Sequence, residues 1–325
     1  MSNGLKILAL AGVGVQSVFE TAVVATQYLA LLNESIKVAT TPMPSDTRAG
    51  TRSCDFLGLG AIKVAGKISE RMRYPVVGGE TPDAAHILLK NAFGSYAADA
   101  YTLTDSIAGQ SFTLAVDKGV SVHETVGLKV VTLTLKSTPK DGLVAEYDCV
   151  GYDENQSGMA TSSAALLALK NDRDSALHKD LSVAWVGDLA DALSSSDAVS
   201  LDSLEFKMTR PLDDVVPNGQ RQIIEPLENG MGDVSLTLHL PRYAANTWRA
   251  WQKAQTQLQG KFKWTLSGQF WTLLIPNMII DGSVDIETGD TAPYSQQIKL
   301  QCFRNGSENA NMSTIVDEAE LNNLT

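Results

Sequence analysis

The sequence predicts a mainly β protein with a minor helical part. It reads as two copies of an antiparallel β-sandwich or barrel-like domain, each with one packed α-helix. Three observations predict this. Apolar and polar residues alternate with period two over many short stretches, as half-buried strands require. Helical spacing is confined to 83–93, 244–254 and a short stretch at 163–170. The order strand, helix, strand, strand, strand occurs once in each half.

From the N-terminus, Leu5–Leu10 reads as a first strand, followed by a turn at Gly12-Val13-Gly14 and a mixed apolar segment to Leu32. Ile36–Thr40 reads as another strand. The Pro-bearing polar run TTPMPSDTRAGTRS reads as a long exposed loop. Ile62, Val64, Gly66 and Ile68 alternate with Lys63, Ala65, Lys67 and Ser69, a strand. Thr81-Pro82-Asp83 combines an N-cap, a first-turn proline and an acid, so it starts a helix that Gly94 ends. After an Ala-, Tyr- and Ser-rich linker, Phe112, Leu114 and Val116 alternate, then Val131, Leu133 and Leu135. Lys140-Asp141-Gly142 is a hairpin turn into Leu143, Ala145, Tyr147 and Cys149.

Residues 156–180 read as a linker between a first domain with an N-terminal extension, 1–155, and a second domain, 181–305. Leu181–Val186 and Leu201–Thr209 are strands, separated from the next by the loop PLDDVVPNGQRQ. Val234, Leu236, Leu238 and Leu240 then face one way and Ser235, Thr237 and His239 the other. Pro241 stops the ladder. Ala244, Trp248, Trp251 and Leu258 give a helical stripe that packs back on the sheet. Phe262 to Leu266, Phe270–Ile275, Met278–Ile286 and Gln296–Phe303 are strands, and 306–325 is a polar C-terminal arm.

The two halves resemble each other beyond element order. SFTLAV and KFKWTL set Phe112, Leu114 and Val116 against Phe262, Trp264 and Leu266. Cys149 follows Phe112 by 37 residues and Cys302 follows Phe262 by 40, so the registers agree to a small loop change. PMPSDTRAGT and PLDDVVPNGQ precede the paired units. Two repeats are too few for a solenoid.

Bulk properties narrow the function. At 325 residues there is room for two domains with their own cores. With 44% hydrophobic and 19% charged residues the chain is globular, not disordered. A net charge of −11 argues against wrapping nucleic acid, since phosphate binding runs on Lys and Arg. No apolar run reaches membrane-spanning length. The apolar N-terminus has only Lys6 as a basic flank, and Gln16 and Glu20 interrupt it, so a cleaved signal is not expected. Cys54, Cys149 and Cys302 are odd in number and widely spaced, which fits neither a disulfide framework nor a zinc knuckle and suits a reducing compartment.

No catalytic, cofactor or metal site emerges. Gly12-x-Gly14 lacks the third glycine of a dinucleotide fingerprint and the strand–helix alternation that must follow. His86, His123, His178 and His239 lack ligand spacing. His123-Glu124 lies in an expected loop. The acids of DAVSLDS and ETGD lack a calcium-loop pattern. Trp248, Trp251, Trp264 and Trp271 suit core or interface packing better than a sugar-stacking platform. The competing function classes are a two-domain lectin- or adhesin-like binding module using these tryptophans, and an enzyme built on the Gly12-x-Gly14 turn.

The segments SFTLAVDKG, GLKVVTLTLKSTPKDGLVAEYDCVGYD, SLEFKMTRPLDD, GDVSLTLHL, NTWRAWQKA, FKWTL and IPNMIIDGSVDIETGD together resemble the tail tube proteins (major tail proteins) of long-tailed bacteriophages, of the duplicated-domain kind, over residues 35–304. The resemblance implies a non-enzymatic virion protein without cofactors. It implies six tube domains per ring, hence three duplicated chains with pseudo-sixfold symmetry. Rings would stack into a tube through which double-stranded DNA passes at ejection. The implied partners are further copies of the chain and the tape measure, tail terminator and distal tail proteins, without a membrane. The implied location is the virion tail, after assembly in the host cytoplasm. The polar loops holding Pro42, Asp46, Arg48 and Arg52 and holding Asp213, Asp214, Asn218 and Arg221 are candidate ring-stacking contacts. An acidic lumen would let DNA slide rather than stick.

Overall fold

A computed structural model describes residues 9–40, 43–44, 57–58, 60–75, 83–155, 157–242, 246–282, 284–287, 295–304 and 311–313. Among the described residues strand accounts for 51% and helix for 12%, so the fold is mainly β, as the alternation predicts.

In the first half the strands are β1 (Leu10–Gln16), β2 (Gln27–Tyr28), β3 (Leu31–Glu34) and β4 (Lys37–Thr40), the small pair β5 (Met43–Pro44) and β6 (Leu57–Gly58), and β7 (Ile62–Arg71). Helix α1 (Ala84–Phe93) follows, then the hairpin β8 (Gly94–Ala97) and β9 (Ala100–Leu103). β10 (Ser111–Asp117), β11 (Val122–Thr138), β12 (Gly142–Gly151) and β13 (Asp153–Asn155) complete it, and α2 (Ser163–Leu169) packs on β1. The second half holds β14 (Leu181–Asp188), β15 (Ser203–Thr209), β16 (Asp233–Leu240), α3 (Thr247–Ala254), β17 (Leu258–Leu266), β18 (Gln269–Ile280), β19 (Asp285–Glu287), β20 (Ser295–Cys302) and β21 (Asn311–Ser313).

Strands of the two halves pair in the same order, all antiparallel. In the first half the ladder runs β1, β10, β11, β12, β7, then β3 and β4. In the second it runs β14, β17, β18 with β19, β20, β16, β15. The halves are then joined. β15 pairs with β11 from Thr132↔Thr209 to Ser137↔Leu204, and β21 links β18 to β9. One apolar core runs through both, from Ile68, Leu88 and Tyr147 to Phe206, Leu236 and Trp264.

Several elements follow their sequence signals. β16 buries Val234, Leu236, Leu238 and Leu240 in strict alternation. The start of α1 is corrected: Asp83, expected in the first turn after a Thr81 N-cap, is itself the N-cap and its side chain makes no cap bond, while Thr81 and Pro82 lie outside the described residues. Gly94 ends α1 at φ 93°, a left-handed cap whose N–H donates to the Lys90 carbonyl. The turn at 139–141 closes the β11–β12 hairpin.

Other expectations are corrected. Gly12-Val13-Gly14 is not a turn but the interior of β1, paired with β10 through all seven residues. Its glycines are there because other groups come close: a Cβ on Gly12 would sit 2.9 Å from Leu166 Cδ2. Of the strand expected at 5–10, only Leu10 belongs to β1; Ala9 precedes it, and 5–8 lie outside the described residues. His123 and Glu124 lie in β11, not in a loop. The Ala- and Tyr-rich linker is the β8–β9 hairpin. Leu258 begins β17 and is not on the helix, which starts at Thr247; Ala244 lies outside the described residues. The strand break expected at Pro276 is absent. β18 runs through it, with a register shift opposite Leu258 and Gly260, where a proline is tolerated. Within the arm, Asn311–Ser313 forms a strand.

Candidate functional site

Among the described residues, no group of three or more His, Cys, Asp or Glu could hold a metal ion, and no helix is long and apolar enough to cross a membrane. Cys149 and Cys302 are buried free thiols, and burial pushes both thiols up. His86 Nδ1 lies 2.7 Å from the Tyr101 hydroxyl, and His123 Nδ1 lies 2.7 Å from Glu154 Oε1. Trp264 and Trp271 are interior, and Trp248 packs edge-on to Trp251 at 5.2 Å. Such tryptophans offer no open stacking platform. The features that stand out are instead the seam between the halves and the strand edges left over.

The seam is held by buried charge. β15 delivers Arg210 onto the end of α1, where Nε donates to the Ala92 carbonyl at 2.8 Å and Nη2 to the Phe93 carbonyl at 2.6 Å. Those are carbonyls that a helix C-terminus leaves without intrahelical partners, and a cation there also suits the helix dipole. Burial pulls the guanidinium below its ordinary value, and Glu228 at 3.3 Å opposes that pull. Lys129, fully buried in β11, donates to the Ile107 and Pro226 carbonyls and pairs with Glu225 at 2.7 Å. Burial raises the Glu225 carboxyl, but the Lys129 bond, the Gly109 N–H and the Lys129 charge together bring it below the usual carboxylate range.

The connection from β15 to β16, residues 210–232, therefore lies along the first half of its own chain. Asp214 pairs with Lys63 at 2.7 Å, and Arg221 Nε donates to the Gly60 carbonyl at 3.0 Å. The Arg221 carbonyl accepts the Ile62 N–H, and the Asp213 N–H donates to the Leu227 carbonyl. Asn218 sits exposed at the tip. The structure thus brings Asp214 and Arg221 to the start of β7, while Asp213 bonds within the connection and Asn218 is exposed. Pro42, Asp46, Arg48 and Arg52 lie outside the described residues. The connection also exposes Val215, Val216, Ile224, Leu227 and Met231, an unusual run of apolar side chains for an exposed loop. Ile223 and Leu212 turn inward and cover Val150.

Sequence reasoning missed Lys129, Arg210, Glu225 and Glu228. One signal was available: Lys129 interrupts the apolar run Leu128 to Val131, where a charge demands a buried partner.

Several strand edges have no strand partner among the described residues, β14 beyond its isolated bridge at Trp185 among them. The outer side of β3 and β4 is one, with Leu32, Asn33, Lys37, Ala39 and Thr40 exposed. The flank of β18 and β19 beyond Met278, where β17 ends its pairing, is another. An open edge must be covered or used.

The sequence model of one protein family, described as phage tail tube protein, matches residues 8–300. No curated protein matches the chain.

Proposed function

We propose, from the premise that this chain belongs to the phage tail tube protein family, that its work is to build the tube itself. Chains would close into rings and rings would stack, leaving a lumen for double-stranded DNA during ejection. The observation that carries this reading is the single strand order used twice. With two tube domains per chain, 1–155 and 181–305 on either side of the 156–180 linker, three chains supply six domains and a pseudo-sixfold ring. Closed rotational symmetry stops lateral growth, and head-to-tail stacking continues until another protein ends it.

Partners in this reading are the neighbouring copies, the tape measure protein inside, and the terminator and distal tail proteins at the ends. The protein would act without chemistry or cofactor, in the virion tail after assembly in the host cytoplasm. The 41–53 and 210–221 loops are the proposed stacking contacts, and 306–325 the arm. A net charge of −11 per chain supports a lumen that repels phosphate.

Negative-stain microscopy of the purified chain tests the reading. Stacked rings with a central hole are expected. A monodisperse monomer at every concentration, or glycan binding by a compact particle, would overturn it.

A further inference from the structure

The seam inside one chain is a template for the seam between chains. We infer that the open edge of β3 and β4 in one chain pairs antiparallel with the open flank of β18 and β19, residues 279–287, in the next copy. This rests on the ring assembly proposed above.

The correspondence follows from register. Asp148 pairs with Lys67 as Gln301 pairs with Ser235, so β12 matches β20 and β7 matches β16. Leu31 pairs with Glu70 as Leu204 pairs with Leu238, and Lys37 pairs with Ala65 as Thr209 pairs with Asp233. Hence β3 and β4 together occupy the place of β15. Leu133 pairs with Tyr147 as Ile280 pairs with Leu300, and Ser137 pairs with Leu143 as Ile286 pairs with Gln296. Hence 279–286 occupies the place of the β11 segment that receives β15. Within the chain that place is filled; at the other end of the chain its equivalent is open.

Two further observations point to the same missing neighbour. Val150, near the end of β12, is 8% exposed, packed in a cluster to which the other half contributes Ile223 and Leu212 and its own half Phe19, Val131 and Tyr152. Its counterpart Phe303 is a large apolar side chain left 45% exposed. Lys129 pairs with Val150 as Asn277 bonds to Phe303, so Asn277 stands where Lys129 reaches across the internal seam. Asn277 is 8% exposed, yet its Oδ1 has no hydrogen-bond partner among the described residues. A buried acceptor left unpaired is costly unless something arrives to satisfy it.

Carrying the internal register over places Lys37 opposite Ile279, Ile36 opposite Ile280 and Leu31 opposite Ile286, as Thr209, Met208 and Leu204 stand to Thr132, Leu133 and Ser137. The extra residues between Ile280 and Asp285 bulge from the ladder, where α3 holds the Gly282 carbonyl through Gln252 Nε2.

A cysteine pair tests this directly. The chain carrying Lys37→Cys and Ile279→Cys, in a Cys54→Ser background, is assembled and treated with a short bis-maleimide. Denaturing gels should show covalent dimers and trimers, absent from either single variant. The pair Thr132→Cys and Thr209→Cys should cross-link only within one chain and add no higher bands. Rings seen by microscopy without intermolecular cross-links would overturn the strand pairing and leave the tube reading standing. An absence of rings in the unmodified chain would overturn the tube reading, and this inference with it.

Discussion

Helices α1 and α3 hold the same position in two copies of one topology, yet their surroundings differ. Eight of the ten α1 residues are buried, whereas α3 buries only Trp248. The cause lies in the connections. Residues 94–110 intervene between α1 and β10, bringing the β8–β9 hairpin and the buried Ile107; only 255–257 lie between α3 and β17. Arg210 and Asn91, which accepts from the Val130 N–H at 2.8 Å, fasten α1 further. One copy has turned its helix into core, and the other has kept it as surface. The comparison separates what the topology needs, a helix closing the sheet, from what the assembly adds.

The largest effect should come from thinning the buried helix. Leu88→Ala removes a fully buried side chain from the joint core and should cost about 2–5 kcal/mol, read as a shift in denaturant midpoint. Trp251→Ala removes a partly buried ring that packs edge-on to Trp248, and should cost about 1 kcal/mol. Equal losses would mean that α3 is as much a part of the core as α1.

A second contrast sits under the helices. Glu70 is buried in β7 and accepts the Tyr147 hydroxyl at 2.8 Å; the matching positions in the second half are Leu238 and Leu300. Burial, with Asp83 adding to it and Tyr147 and Arg73 opposing, pushes the Glu70 carboxyl up to about 8 from 4.5. The folded state then keeps a proton that the unfolded chain releases above 4.5. This stabilisation is complete below that value and is lost as pH rises towards 8, at up to about 1.4 kcal/mol per pH unit. Glu70→Gln should flatten that decline. Melting curves that fall in parallel for both proteins from pH 4.5 to about 8 would count against the buried acid as the source.

These contrasts show where the sequence was legible. Regular alternation at 233–240 and the glycine that ends α1 reported local structure faithfully, and alternation placed strands at 111–117 and 142–151, although both faces of 111–116 are buried and the start of α1 falls at Asp83 rather than Thr81. The N-terminal half of β11 did not read as a strand. His123, Glu124 and Thr125 are polar, and Gly127 at φ 68° breaks the period. Glu124 is buried all the same, since the Ala160 and Thr161 N–H groups bond its carboxylate. Those partners lie more than thirty residues away and leave no local trace. Lys129 with Glu225 and Arg210 with the end of α1 are hidden for the same reason. Of the expected stacking loops, the sequence supplied the polarity of 210–221 but not its attachment to β7, which depends on Lys63 and Gly60 from the other half.

The smallest effect on the isolated chain should fall on the exposed face of α3. Arg249, Ala250 and Lys253 are exposed there. Single substitutions away from packed or capped positions stay within about 0.5 kcal/mol, so Arg249→Glu should leave the melting curve unchanged. If the second copy has kept its helix as surface because an assembled tube uses it, the same reversal should lower the yield of tubes, with an ionic-strength dependence that the parent lacks. His86→Ala on α1 provides the opposite case. It removes the edge-on contact with Tyr96 and the bond to Tyr101, so it should lower stability before it touches assembly. Should Arg249→Glu leave tube yield intact at every salt concentration, the exposed helix has no part in assembly, and the short 255–257 connection alone accounts for its exposure.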